Sequence, residues 1–162
     1  MNTKKNILIV STILSVIVLG ILSFNIFSVL AMQNAIKDAD IQSFNFGYGS
    51  WNTIYSTYEI IKNEDYILMK FSDSLGNENN YDISNETLQQ IEQLILKRKV
   101  YTWDGFDKED KYIIDGNSFT LKIEYENGEN ISASGYMKFP RNYNSVEEEI
   151  VKILNKEIKN NY

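Results

Sequence analysis

Residues 119–135 read Phe119-Thr-Leu-Lys-Ile-Glu-Tyr-Glu-Asn-Gly-Glu-Asn-Ile-Ser-Ala-Ser-Gly135. Phe119, Leu121, Ile123 and Tyr125 occupy alternate positions, as do Ile131, Ala133 and Gly135, the period of strands with one buried face. Asn127-Gly128 marks the turn between them. A two-residue loop would pair Glu126 with Glu129 and set Ile123 opposite Ser132, sending the two apolar sets to opposite faces. A three-residue loop, with Gly128 in the left-handed conformation of a bulge, pairs Tyr125 with Glu129 and Ile123 with Ile131. Only the second register serves a one-sided core, so the chain is expected to build an antiparallel sheet.

Working outward, Phe44, Phe46 and Tyr48 alternate with Asn45, Gly47 and Gly49, a second strand signal. Thr53 to Ile61 and Tyr66 to Phe71 are rich in Thr, Tyr and Ile and are separated by Asn63-Glu64-Asp65, which reads as a turn. Residues 74–80 read as a polar loop. Ser84 suits a helix N-cap, Ile83 and Leu88 fit a hydrophobic staple, and Leu88, Ile91, Leu94 and Ile95 form an apolar stripe. Lys97, Arg98 and Lys99 suit that helix's negative end. Asp104, Asp107, Glu109, Asp110 and Asp115 read as a solvated acidic loop, because their spacing lacks the alternation of a calcium-binding loop. A last helix is expected from Ser145, with Glu148 completing a capping box and Val146, Ile150, Ile153, Leu154 and Ile158 on one face. The order βββ-α-ββ-α predicts an α+β fold with a five-stranded antiparallel sheet and two helices on one face.

Ahead of this domain, Ile7 to Ala31 is a run of 25 residues without a formal charge. As a helix it would extend about 37 Å, enough for a hydrocarbon core of about 30 Å with some tilt. Lys4 and Lys5 precede it with no acid, whereas Lys37 on the far side stands beside Asp38 and Asp40. The positive-inside rule therefore predicts a cytoplasmic N-terminus and an exported remainder. The division is residues 1–6 cytoplasmic, 7–31 a transmembrane signal anchor contacting the lipid bilayer, 32–42 a juxtamembrane linker, and 43–162 an extracytoplasmic α+β domain. The alternative is a signal peptide cleaved after Ala31, although its apolar core is longer than signal peptides use. Both routes lead to the cell membrane or beyond it.

The 162 residues include no Cys and no His, with 16 Lys+Arg against 22 Asp+Glu. Thiol chemistry, thiolate metal sites and imidazole bases are excluded, and the acidic balance disfavours nucleic acid as a partner. No Ser-x-x-Lys and no glycine-rich phosphate loop occurs, so the residues point to no catalytic, cofactor or metal site. Candidate binding residues are the large amphipathic rings and nearby cations of Trp51, Trp103, Tyr136, Lys138, Arg141 and Tyr143, on the sheet face that helices leave open.

Trp103-Asp-Gly-Phe106, Asp115-Gly-Asn-Ser-Phe-Thr-Leu121, Asn127-Gly128, Ser132-Ala-Ser-Gly135 and Pro140 together resemble a group of uncharacterised exported or membrane-anchored proteins of low-GC Gram-positive bacteria. The resemblance spans residues 100–143 and implies an exported α+β domain without catalytic residues. The expected function is a single-pass membrane protein displaying a binding or interaction domain toward a protein or envelope component. The alternatives are a carboxylate-dependent cell-envelope hydrolase, or an envelope immunity or inhibitor protein. Two carboxylates about 5–10 Å apart in a cleft would favour the hydrolase.

Overall fold

A computed structural model describes residues 2–50 and 53–160, with side chains described from Ile13 onward except at 22, 24, 25 and 160. A long helix α1 (Asn2–Lys37) leads into β1 (Ile41–Ser50), β2 (Ser56–Lys62), β3 (Ile67–Asp73) and β4 (Glu78–Asp82). Then come α2 (Asn85–Lys97), a 3-10 turn (Val100–Trp103), β5 (Phe106–Glu109), β6 (Asn117–Tyr125), β7 (Asn130–Tyr136) and α3 (Tyr143–Asn160). The strands form one seven-stranded sheet in the order β4-β3-β2-β1-β6-β7-β5.

This corrects the expected five-stranded antiparallel sheet: two more strands exist, and the sheet is mixed. β4 lies where a polar loop was expected, pairing Tyr81 with Met69 along the β3 edge. β5 lies in the supposed acidic loop and runs parallel to β7, with Phe106 opposite Ala133. Edge strands need few apolar residues, and here Tyr81 alone is buried in β4. Acids in and just before β5 serve as latches as well as solvated charge. Asp104 Oδ1 accepts from the Ser132 amide at 2.9 Å, and Asp107 Oδ1 accepts from Ser134 Oγ at 2.7 Å.

The central hairpin follows the three-residue register. Ile123 faces Ile131, the Tyr125 amide donates to the Glu129 carbonyl at 2.9 Å, and Gly128 has φ 87°. Ser84 caps α2 by accepting from the Thr87 amide at 3.2 Å. α3 begins at Tyr143, two residues before the expected start, so Ser145 lies inside its first turn rather than at the cap. Asn142, at φ 62°, precedes it, and its carbonyl accepts from the Val146 amide.

One face of the sheet carries the core. Phe44 and Phe46 of β1 stand opposite Ile123 and Leu121 of β6, while Tyr58, Ile60 and Met69 extend the layer toward β3. A register shift between Ile41 and Ser43 lets Ile41 and Phe44, three apart, both turn inward. α2 and α3 cover this layer with Leu88, Ile91, Ile95, Val146, Ile150 and Leu154. They run antiparallel, because Thr87 near the start of α2 bonds Glu157 near the end of α3, whereas Arg98 at its end pairs with Glu149.

Among the described residues, α1 meets the domain through its last turns. Ile36 is 3 % exposed, Met32 packs against the same core, and Asn127 Nδ2 donates to the Ala35 carbonyl at 2.9 Å. Before Met32 the described side chains are exposed on every side of the helix; Phe27 is 73 % exposed. Within Ile13–Lys37 an 18-residue window has a mean hydropathy of 2.5, so by length and composition the segment is one helix able to cross a bilayer.

Candidate functional site

The expected binding residues do not converge. Trp51 lies outside the described residues. Trp103 and Tyr143 are core residues, 2 % and 5 % exposed, whose rings lie 6.0 Å apart beside Phe119. Tyr136 clamps the β5–β6 connection: its hydroxyl donates to the Ile114 carbonyl and accepts from the Gly116 amide. Lys138 pairs with Asp110 at 3.1 Å, and Arg141 is exposed in the turn ahead of α3.

The sheet face opposite the helices is open and polar. A shallow groove there is bordered by Ser43, Asn45, Glu59, Lys62, Lys122 and Glu124. Some of its charges pair with one another: Lys122 pairs with Glu124 at 2.7 Å, and Ser43 Oγ donates to Glu124. These contacts hold the Glu124 carboxyl below the usual carboxylate range, Lys122 being the larger influence. The groove presents polar groups, some paired with one another, and no reactive constellation among the described residues.

Two half-buried carboxylates stand out chemically, and both sit among the apolar positions of their helices. Glu92 of α2, four residues after Leu88 and three before Ile95, accepts from the Ile41 amide at 2.9 Å. It thereby joins α2 to the start of β1, where α1 enters. Lys62 closes the same junction through Asp40 at 2.6 Å and Glu126 at 2.9 Å. Burial raises the Glu92 proton affinity above the ordinary glutamate value, partly offset by the Ile41 amide.

Glu147 lies two helical turns before Leu154 and therefore leans toward the core side of α3. It borders a half-open pocket of about 300 Å³ at the other end of β1, lined by Tyr48, Ser118, Phe139, Tyr143, Asn144 and Glu147 among others. Burial is also the main cause raising the Glu147 proton affinity; a hydrogen bond from Tyr143 lowers it and the nearby Glu148 raises it further. Desolvation pushes the phenols of Tyr143 and Tyr58 well above their ordinary range. Phe139 and Tyr143 stack with ring centroids 4.6 Å apart, and Tyr48 stacks on Tyr58 at 6.3 Å.

The sequence reading did not single out Glu147 as a site residue. The signal that marks it is its seven-residue spacing from Leu154, an acid placed on an apolar stripe. Among the described residues no group of three or more acids, His or Cys is placed to hold a metal ion. No family model matches the chain, and no curated protein or solved structure is significantly similar to it.

Proposed function

We propose that the chain is a single-pass membrane protein holding an α+β binding domain outside the cytoplasmic membrane, with the N-terminus inside. The observation that carries this reading is the bare apolar cylinder of α1. From Ile13 to Ala31 its described side chains are exposed, yet its last turns, Met32 and Ile36, pack into the domain core. Lipid is the solvent that accepts such a surface, and the polar open sheet face supplies no apolar partner for it. Lys4 and Lys5 ahead of the span favour retention of that end in the cytoplasm. The resemblance to exported proteins agrees with this orientation. Cleavage after Ala31 is the rival route; it would leave Met32 to Lys37 packed on the domain and release the domain.

Binding is favoured over hydrolysis by the position of the two half-buried carboxylates. Glu92 meets the start of β1 and Glu147 borders a cavity at its far end, next to Tyr48. Seven residues of strand separate Ile41 from Tyr48, about 23 Å. Glycosidic carboxylate pairs flank one bond at about 5–10 Å, so these two do not form such a pair. Alkaline carbonate extraction of membranes tests the anchor: the full chain should stay with the membrane pellet, and a chain lacking residues 7–31 should not. Release of the full chain by carbonate contradicts the reading.

A further inference from the structure

The cavity bordered by Glu147 has a composition that selects for one kind of ligand. Three rings, Tyr48, Phe139 and Tyr143, form its apolar sides, while Ser118, Asn144 and the Glu147 carboxylate contribute oxygen acceptors. No cation is built into it. The charged neighbour acting on the Glu147 carboxyl is Glu148, of its own sign, and its polar partner is the Tyr143 hydroxyl. The nearby cations are engaged elsewhere or face solvent: Arg98 pairs with Glu149, Lys138 pairs with Asp110, and Arg141 is exposed. A half-buried carboxylate without a cationic partner is costly, and the rings beside it offer apolar surface to the alkyl groups of a cation. At about 300 Å³ the cavity has room for about ten water-sized groups.

We propose that this cavity binds an organic ammonium group, with Glu147 as its counter-ion and the rings of Tyr48, Phe139 and Tyr143 packed around its alkyl substituents. The inference deepens the binding-domain reading and rests on it. With α1 in the membrane, the cavity lies about 25 Å along β1 from the helix exit, the length of the strand from Ile41 to Tyr48 and Gly49. A free amine and a lysine side chain of a polypeptide share the recognised chemistry.

The full chain in non-ionic detergent is titrated, at constant ionic strength, with n-butylammonium, tetramethylammonium, Nα-acetyl-lysine amide and the neutral isostere n-butanol, and heat and tyrosine fluorescence are recorded. At least one ammonium probe should bind saturably and displace the others, while n-butanol should bind about tenfold more weakly or not at all. Tighter binding of acetyl-lysine amide than of the free amines assigns the site to a polypeptide lysine; the reverse order assigns it to a free amine. Glu147→Gln should weaken the best probe about tenfold or more, whereas Glu148→Gln, the same charge change on an exposed neighbour, should leave it within about twofold. Equal affinity for n-butanol, or equal affinity in Glu147→Gln, overturns the assignment. So does the absence of saturation with every ammonium probe. Membrane integration is read separately by carbonate extraction, so a failed titration leaves that result intact.

Discussion

Gly135 is the position where the packing around the aromatic core can be tested most sharply. It faces Phe119 across the β6–β7 pair and is buried. A Cβ built there would overlap the Lys138 carbonyl oxygen and come within 2.6 Å of Phe119 Cε1. Neither neighbour can easily give way. The carbonyl belongs to the turn after β7, in which Met137 holds φ 55°, and Phe119 is 1 % exposed among Trp103, Phe106, Phe139 and Tyr143. Gly135→Ala therefore overpacks against backbone and a locked ring, at the upper end of the usual range, about 3 kcal/mol. Gly128 provides the comparison. It has φ 87° and open space where a Cβ would sit, so Gly128→Ala pays only backbone strain, about 1 kcal/mol. For a domain of this size each kcal/mol moves Tm by roughly 3–6 °C. Thermal melts followed by near-ultraviolet circular dichroism in non-ionic detergent should show Gly135→Ala melting about 10 °C or more below the parent and Gly128→Ala about 3–6 °C below. Gly135→Ala melting within 2 °C of the parent, or above Gly128→Ala, would refute the packing described for β7 and Phe119.

Glu147 carries a pH signature. Its folded-state proton affinity is raised by burial, so the stability linked to its protonated form is complete below the ordinary glutamate value, about 4.3, and is lost as pH rises through the raised value. The Tm of Glu147→Gln relative to the parent should accordingly increase between pH 4 and pH 7; a difference independent of pH contradicts the assignment of burial as the cause. Ile36→Ala removes a 3 % exposed side chain where α1 meets the core and should cost about 2 kcal/mol, whereas Ile26→Ala, at 62 % exposed, should leave the domain melt unchanged. Equal effects in those two melts would show that α1 does not dock through its last turns. Ser84→Ala deletes the bond to the Thr87 amide and should cost about 1 kcal/mol, read in the same assay.

Features fixed by a strict period were legible in the sequence. The β6–β7 register followed from alternation, since one slip would have turned Ile131 and Ala133 toward solvent, and the cap at Ser84 followed from local chemistry. β4 was hidden because Glu78, Asn79, Asn80 and Asp82 are weak strand formers and its order comes from pairing with β3. β5 was hidden for a different reason. Its four residues include one apolar side chain, and its partner β7 lies beyond β6 in the chain, a long-range parallel pairing with no local signature. The cavity was equally invisible, because its walls come from the end of β1, the start of β6, the turn after β7 and the first turns of α3. Trp103 and Tyr143, read as surface rings, were drawn inward by Phe119. Glu92 and Glu147 were legible in principle, since helical spacing places each beside apolar positions.

Export of the domain is the claim on which the placement of every surface depends. The chain contains no Cys, so single-cysteine variants report cleanly. Tyr112→Cys places a thiol at a 97 % exposed position beyond β5, and Thr3→Cys places one ahead of the span. With a membrane-impermeant maleimide added to intact cells, the thiol at position 112 should label at once and the thiol at position 3 only after permeabilisation. Labelling at position 3 with protection at position 112 would contradict the account.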